Sequence, residues 1–156
     1  LFHRTKPGHD NATPSGNGVA AHALAVFGHL AGDLRYVETA RRTVELYAPM
    51  LAESPGGYSS LLTAMAALES PPASVLLAGA ADDCAAWQRT LEATYRPHVR
   101  VLNLAQCPDV PPALAKGAAP ASGAQAWVCR GTTCLPPMVS ILDVADALAP
   151  EGARLR

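Results

Sequence analysis

Ser70-Pro71-Pro72 separates two different patterns in this chain, and each pattern admits a narrow set of folds. Upstream, apolar residues recur at three- and four-residue spacings, the mark of amphipathic helices. Pro14-Ser15-Gly16-Asn17 opens the first helix, with Ser15 or Asn17 placed to cap its free N–H groups. Its apolar stripe is Val19, Ala20, Ala23, Leu24, Phe27 and Leu30, and Gly32-Asp33 ends it and caps the next. The second helix is expected over 34–51. It is apolar through Tyr36, Val37, Ala40, Val44, Leu46, Tyr47 and Met50 or Leu51 and charged through Arg35, Glu38, Arg41, Arg42 and Glu45, and Pro49 kinks its last turn. After Ser54-Pro55-Gly56-Gly57, a third helix over 58–69 is apolar nearly all round and is expected to be buried. The connections are short, which makes the three helices antiparallel neighbours.

Downstream, short apolar runs replace the helical stripe. Ser74 to Gly79 has the form of a buried parallel strand, Ala81 to Tyr95 of a helix with Asp82 and Asp83 at its positive end, and Val99 to Leu104 of a second strand. Together they predict a βαβ unit with a right-handed crossover. A loop rich in Pro, Ala and Gly covers 105–123, a third strand is expected over 124–129, and a last helix over 140–148. The expected fold is therefore mixed: antiparallel α-helices over 1–70, then a small α/β unit over 71–156 with a short, mainly parallel three-stranded sheet.

Composition narrows the function classes. Hydrophobic residues make up 49% of the 156, enough for a packed core and too many for a disordered chain. Aromatics are only 5%, so alanine and leucine fill that core, which suits close-packed helices better than an all-β sandwich. The net charge is −1 and no basic run occurs, so neither nucleic acid nor a membrane surface is an expected partner. No apolar stretch approaches the roughly 20 residues of a spanning helix. The start, Leu1-Phe2-His3-Arg4-Thr5-Lys6, lacks the order of a signal peptide and reads as a chain entered in mid-sequence. Four cysteines do not make a disulfide scaffold at this size, and a reducing cytoplasm is the simpler expectation.

Two clusters carry candidate chemistry. Asp10, Asn11, Ser15 and Asn17 lie in the densest polar stretch before a helix, and carboxylates and amides suit the hydroxyls of a polyol. The same residues serve equally as a loop and a helix cap, which is their commoner use. Cys129 and Cys134 stand five positions apart after a strand. A redox pair requires their sulfurs within bridging distance, with Cα atoms within about 7 Å. The tighter C-x-x-C is the stronger redox signal, so the spacing favours a structural or fortuitous pair. Cys107 is a conceivable third ligand for zinc, but no second close pair accompanies it, and no metal is expected. Cys84 reads as a small core residue. His22 and His29 share a helix face seven apart, whereas a metal site there needs an i, i+4 pair. His3 and His9 flank the polar loop and are the candidate acid or base groups near neutral pH. Gly79-Ala80-Ala81-Asp82 has neither a dinucleotide fingerprint nor a P-loop lysine, so no nucleotide cofactor is expected.

The run DNATPSGNGVAAHAL, followed by a Gly-Asp break and a second amphipathic helix, resembles the YyaL-type thioredoxin-domain-containing proteins, which include the spermatogenesis-associated thioredoxin-like proteins of animals. The tail AWVCRGTTCLPP is similar to their C-terminal Y/W-V-C-x-x-x-x-C-x-x-P pattern. Asp10, Pro14, Ser15, Gly16 and Asn17 match the first region, and Cys129, Cys134 and Pro137 the second. The resemblance implies a parent with a thioredoxin-like domain, then an (α/α)6 toroid similar to N-acylglucosamine 2-epimerases and six-hairpin glycosidases, then a short α/β tail. This chain would hold the toroid's last helices and the tail.

Two functions follow as expectations. In one, these residues are a structural or interaction part that completes the toroid and docks the thioredoxin-like domain. In the other, they form one wall of a carbohydrate-active site, epimerase- or glycosidase-like, whose acid–base groups lie mostly elsewhere in the parent. The chain has no assembled acid–base pair of its own and is not expected to be catalytic alone.

Overall fold

A computed structural model describes residues 5–107, 109–110 and 112–149. The chain separates into two compact units, 1–71 and 72–156.

In the first unit, Ser15 is extended and its Oγ accepts the Gly18 N–H at 3.1 Å, which starts helix α1, Gly16–Ala31. Gly32, in the left-handed region, closes it. The Asp33 carboxylate accepts the Arg35 N–H at 3.0 Å and caps α2, Leu34–Leu46. The single helix expected over 34–51 is in fact two, because Tyr47 breaks it and α3 runs over Ala48–Glu53. Pro49 lies in the first turn of α3, where a missing N–H removes no helical hydrogen bond. A 3-10 turn, Pro55–Tyr58, leads into α4, Ser59–Glu69.

Expected to be buried all round, α4 instead buries one face, Leu61, Ala64 and Ala67, while Thr63 and Ala66 are exposed. The buried face is the one packed on α1 and α2, and Leu62, Met65 and Leu68 are half-buried beside it. Helix α1 packs on both α2 and α4. Ala21, Ala25, Ala40, Val44, Leu51, Leu61, Ala64 and Ala67 form the core, and small residues at the crossings let the backbones approach.

The second unit is a mixed α/β layer. Its elements are β1, Ala73–Gly79; α5, Ala81–Glu92; β2, Val99–Asn103; β3, Ala124–Arg130; β4, Thr133–Cys134; and α6, Ile141–Ala147. The strand order is β2-β1-β3-β4. Strands β1 and β2 are parallel, with Val75 opposite Val101, as a βαβ unit requires.

The expected three-stranded, mainly parallel sheet is corrected to four strands of mixed direction. Strand β3 runs antiparallel to β1, with Val75 opposite Val128, and β4 antiparallel to β3. A third parallel strand needs a connection that returns to the other end of the sheet, and usually a helix does this. The described residues of 104–123 hold only short 3-10 turns, and the chain is at the carboxyl end of β1 when it reaches Gly123. There the Ala80 N–H donates to the Gly123 carbonyl at 2.9 Å, and the Gly123 N–H to Asp83 Oδ2 at 3.1 Å. Strand β3 therefore enters beside Gly79 and runs back along β1.

One sheet face packs Val75, Leu77, Ala126 and Val128 with Cys84 and Leu91 of α5 and Val144 and Ala147 of α6. On the other face Leu76, Ala78, Trp127 and Cys129 are buried, with Leu102, Leu104, Leu114 and Cys134 packed around them.

Candidate functional site

The polar cluster of the first unit is built around Asp10. One carboxylate oxygen, Oδ1, accepts the Ser15 N–H at 2.8 Å and the Ser60 hydroxyl; the other, Oδ2, accepts the Ser60 N–H at 2.8 Å. The Ser15 and Ser60 hydroxyls lie 3.1 Å apart. The Asp10 N–H itself donates to the Gly57 carbonyl at 2.8 Å. These bonds tie the segment before α1 to the starts of both α1 and α4. The Ser60 hydroxyl, followed by the Ser15 and Ser60 N–H groups, draws the Asp10 carboxyl from 3.8 down to about 2. At neutral pH the group is a charged acceptor already supplied with donors.

Of the four candidate polyol ligands, the structure brings together Asp10 and Ser15 and leaves the other two apart. Asn17 Nδ2 donates to the Pro7 carbonyl at 2.8 Å. Asn11 is exposed, and its N–H closes a turn onto the Thr13 carbonyl at 3.0 Å. Two further residues anchor the same segment. The Tyr47 hydroxyl donates to the Lys6 carbonyl at 2.6 Å, and the His9 and Tyr58 rings meet edge to face with centroids 5.2 Å apart. Ser60 had no signal as a site residue in the sequence: at the start of a helix it reads as a cap, and its link to Asp10 spans 50 positions.

His3, the other candidate acid or base, lies outside the described residues. His29 has both ring nitrogens screened from solvent with no hydrogen-bond partner, and burial lowers its pKa below the usual 6.5. Burial therefore favours the neutral form of the ring. Among the described residues no group of three or more His, Cys, Asp or Glu could hold a metal ion.

The second unit carries the cysteine pair. Cys129 and Cys134 are bonded through their sulfurs, with Cα atoms 3.9 Å apart. They face each other across β3 and β4. The Leu135 N–H donates to the Val128 carbonyl at 2.9 Å, so that neighbouring pair is the hydrogen-bonded kind and the cysteines occupy the closer, non-hydrogen-bonded kind. Gly131, with φ 57°, starts the two-residue turn between the strands, the form of a II′ hairpin with glycine first. The two sulfurs differ in setting. Cys129 is 6% exposed against Leu76 and Trp127, whereas Cys134 is half-buried on the edge strand.

Lys116 Nζ donates to Cys134 Sγ at 3.2 Å. The same lysine lines a cleft of about 260 Å³ with Gly79, Leu104 and Ala105, at the carboxyl end of β1. Nothing in the sequence pairs Lys116 with Cys134, because the contact depends on where the 104–123 loop lies. Of the other cysteines, Cys107 is exposed and Cys84 buried, and burial followed by the nearby Asp83 charge raises the Cys84 pKa. The Cys84 thiol is therefore a poor nucleophile at neutral pH. No helix among the described residues is long and apolar enough to cross a membrane. No protein-family model, curated protein or solved structure matches the chain.

Proposed function

We propose that this chain is a structural and interaction part of a larger, cytoplasmic thioredoxin-domain-containing protein. Residues 1–70 supply the closing helices of a six-hairpin, glycosidase-like (α/α)6 toroid, and 71–156 form its small α/β tail. The support from the sequence is the pair of motifs DNATPSGN and AWVCRGTTCLPP, in that order at opposite ends of the chain. The observation that carries the scaffold reading over a sugar-binding wall is the state of Asp10: both its oxygens are taken by Ser15 and Ser60. Three of the carboxylate's roughly four acceptor sites are thus filled by the chain's own donors, which brace the starts of α1 and α4 and leave a sugar hydroxyl at most the remaining site on Oδ2.

The test is heteronuclear NMR of the purified chain. A panel of mono- and disaccharides should leave the amides of residues 10–17 unmoved, while the remainder of the parent, added as a separate polypeptide with its thioredoxin-like domain, should perturb the chain's surface. Sugar-dependent shifts confined to 10–17, with no response to the parent's remainder, would replace the scaffold with the carbohydrate-site reading.

A further inference from the structure

Three features of the Cys129–Cys134 hairpin stand together and are not explained by a staple. The bridge spans one two-residue turn between strands that already pair, so the loop it closes is short and the chain entropy it removes is small by the standard of protein disulfides. The two sulfurs are unequal, one buried in the sheet and one half-buried on the two-residue edge strand. The outer sulfur alone receives an ammonium group, Lys116 Nζ at 3.2 Å. A cation at that distance favours the thiolate over the thiol, and thiolate is the form that attacks and leaves in exchange.

We propose that Cys129 and Cys134 form a reversible thiol–disulfide couple, in which Cys134 beside Lys116 exchanges with external thiols and disulfides and Cys129 resolves the mixed disulfide. In the oxidising direction for the pair, the Cys134 thiolate attacks one sulfur of an external disulfide. A Cys134–external bond forms and the first external thiolate leaves. Cys129, losing its proton, then attacks Cys134 Sγ, which restores the internal bridge and expels the second external thiolate. Two electrons pass from the pair to the external disulfide, and the two protons end on the two released thiols. The reverse sequence reduces the bridge at the expense of an external dithiol: attack falls on the reachable Cys134 sulfur, and Cys129 is the group released into the sheet. In a reducing compartment, the protein disulfides that do form are usually transient and either catalytic or redox-sensing. Reduction leaves the β1–β3 ladder in place, because none of its pairs depends on β4.

The experiment uses the full chain carrying Cys107→Ser, which removes the exposed thiol; Cys84 is fully buried. After reduction under native conditions with dithiothreitol, iodoacetamide labelling is followed by peptide mass spectrometry. Cys134 should label faster than Cys129. Lys116→Gln should slow Cys134 labelling about fivefold, the size of a partly exposed charge contact, and Lys116→Arg should restore most of the rate. With glutathione disulfide as the oxidant, Cys129→Ser should accumulate a mixed disulfide at Cys134, and Cys134→Ser should accumulate none at Cys129. A bridge that dithiothreitol reduces only after urea is added, equal labelling of the two thiols, or a Lys116→Gln rate equal to that of the Cys107→Ser chain would each overturn the proposal.

Discussion

A carboxylate that accepts two backbone N–H groups and a hydroxyl is worth more to the fold charged than protonated, and at Asp10 this sets a pH dependence. Its folded pKa is near 2 against 3.8 for the free group, so its contribution is complete above pH 3.8 and disappears as the pH falls towards 2. Asp33, held below its usual value mainly by the Arg35 side-chain hydrogen bond, acts in the same direction. The difference between wild type and Asp10→Asn therefore isolates the one group. The variant should melt at a lower temperature at neutral pH, and the gap should close as the pH drops below 3.8; thermal denaturation followed across pH 2–7 measures it. A gap that stays constant to pH 2 would show that charge on Asp10 contributes nothing. The sequence does mark Asp10, as the acidic member of a polar stretch before a helix, but not the direction it faces. A carboxylate aimed at a ligand and one aimed at its own backbone look the same until Ser60, 50 positions away, is placed beside it.

At the scale of elements, legibility follows how local the controlling interaction is. The start of α1 was readable because its cap, Ser15, lies three residues from the N–H it serves. The direction of β3 was not, because it depends on which end of the sheet a twenty-residue connection delivers the chain to, and apolar alternation carries no direction. Strand β4 is two residues long and has no period to detect. The α1–α4 crossing is equally tertiary, and it rests on Gly18. A Cβ there would fall on Ser60 Oγ and lie 2.6 Å from Ser60 Cβ, whereas one at Gly16 meets nothing within 4 Å. Gly18→Ala should therefore destabilise by about 1–3 kcal/mol as the helices are forced apart, even though alanine is the better helix former. Gly16→Ala should stabilise by about 0.4–1 kcal/mol by restricting the unfolded chain. Urea titrations of the two variants should give changes of opposite sign. Equal effects would mean that helix propensity, and not the Ser60 contact, governs both positions.

Taken over the whole chain, hydrophobic burial is distributed unevenly. The core of the first unit is largely alanine: Ala21, Ala25, Ala40, Ala64 and Ala67, with Leu61 as its largest fully buried side chain. The second buries Val75, Leu76, Leu77, Val128 and Val144 almost completely, and Trp127 to 8% exposure. Each buried methylene contributes about 0.8 kcal/mol, so a unit of some seventy residues with an alanine-lined core has little margin. The two units also report through different probes. Both tryptophans, Trp87 and Trp127, belong to the second unit, whereas four of the six described helices, including the two longest, belong to the first. Far-UV circular dichroism is thus weighted to the first unit and tryptophan fluorescence reports on the second. In a urea titration the dichroism should begin to fall at a lower concentration than the fluorescence, and Leu61→Ala, which removes about 2–5 kcal/mol from the first core, should widen the separation by moving the dichroism alone. Superimposable curves that shift together in Leu61→Ala would mean that the two cores melt as one cooperative body, and that the alanine-rich helices draw their stability from more than their own packing.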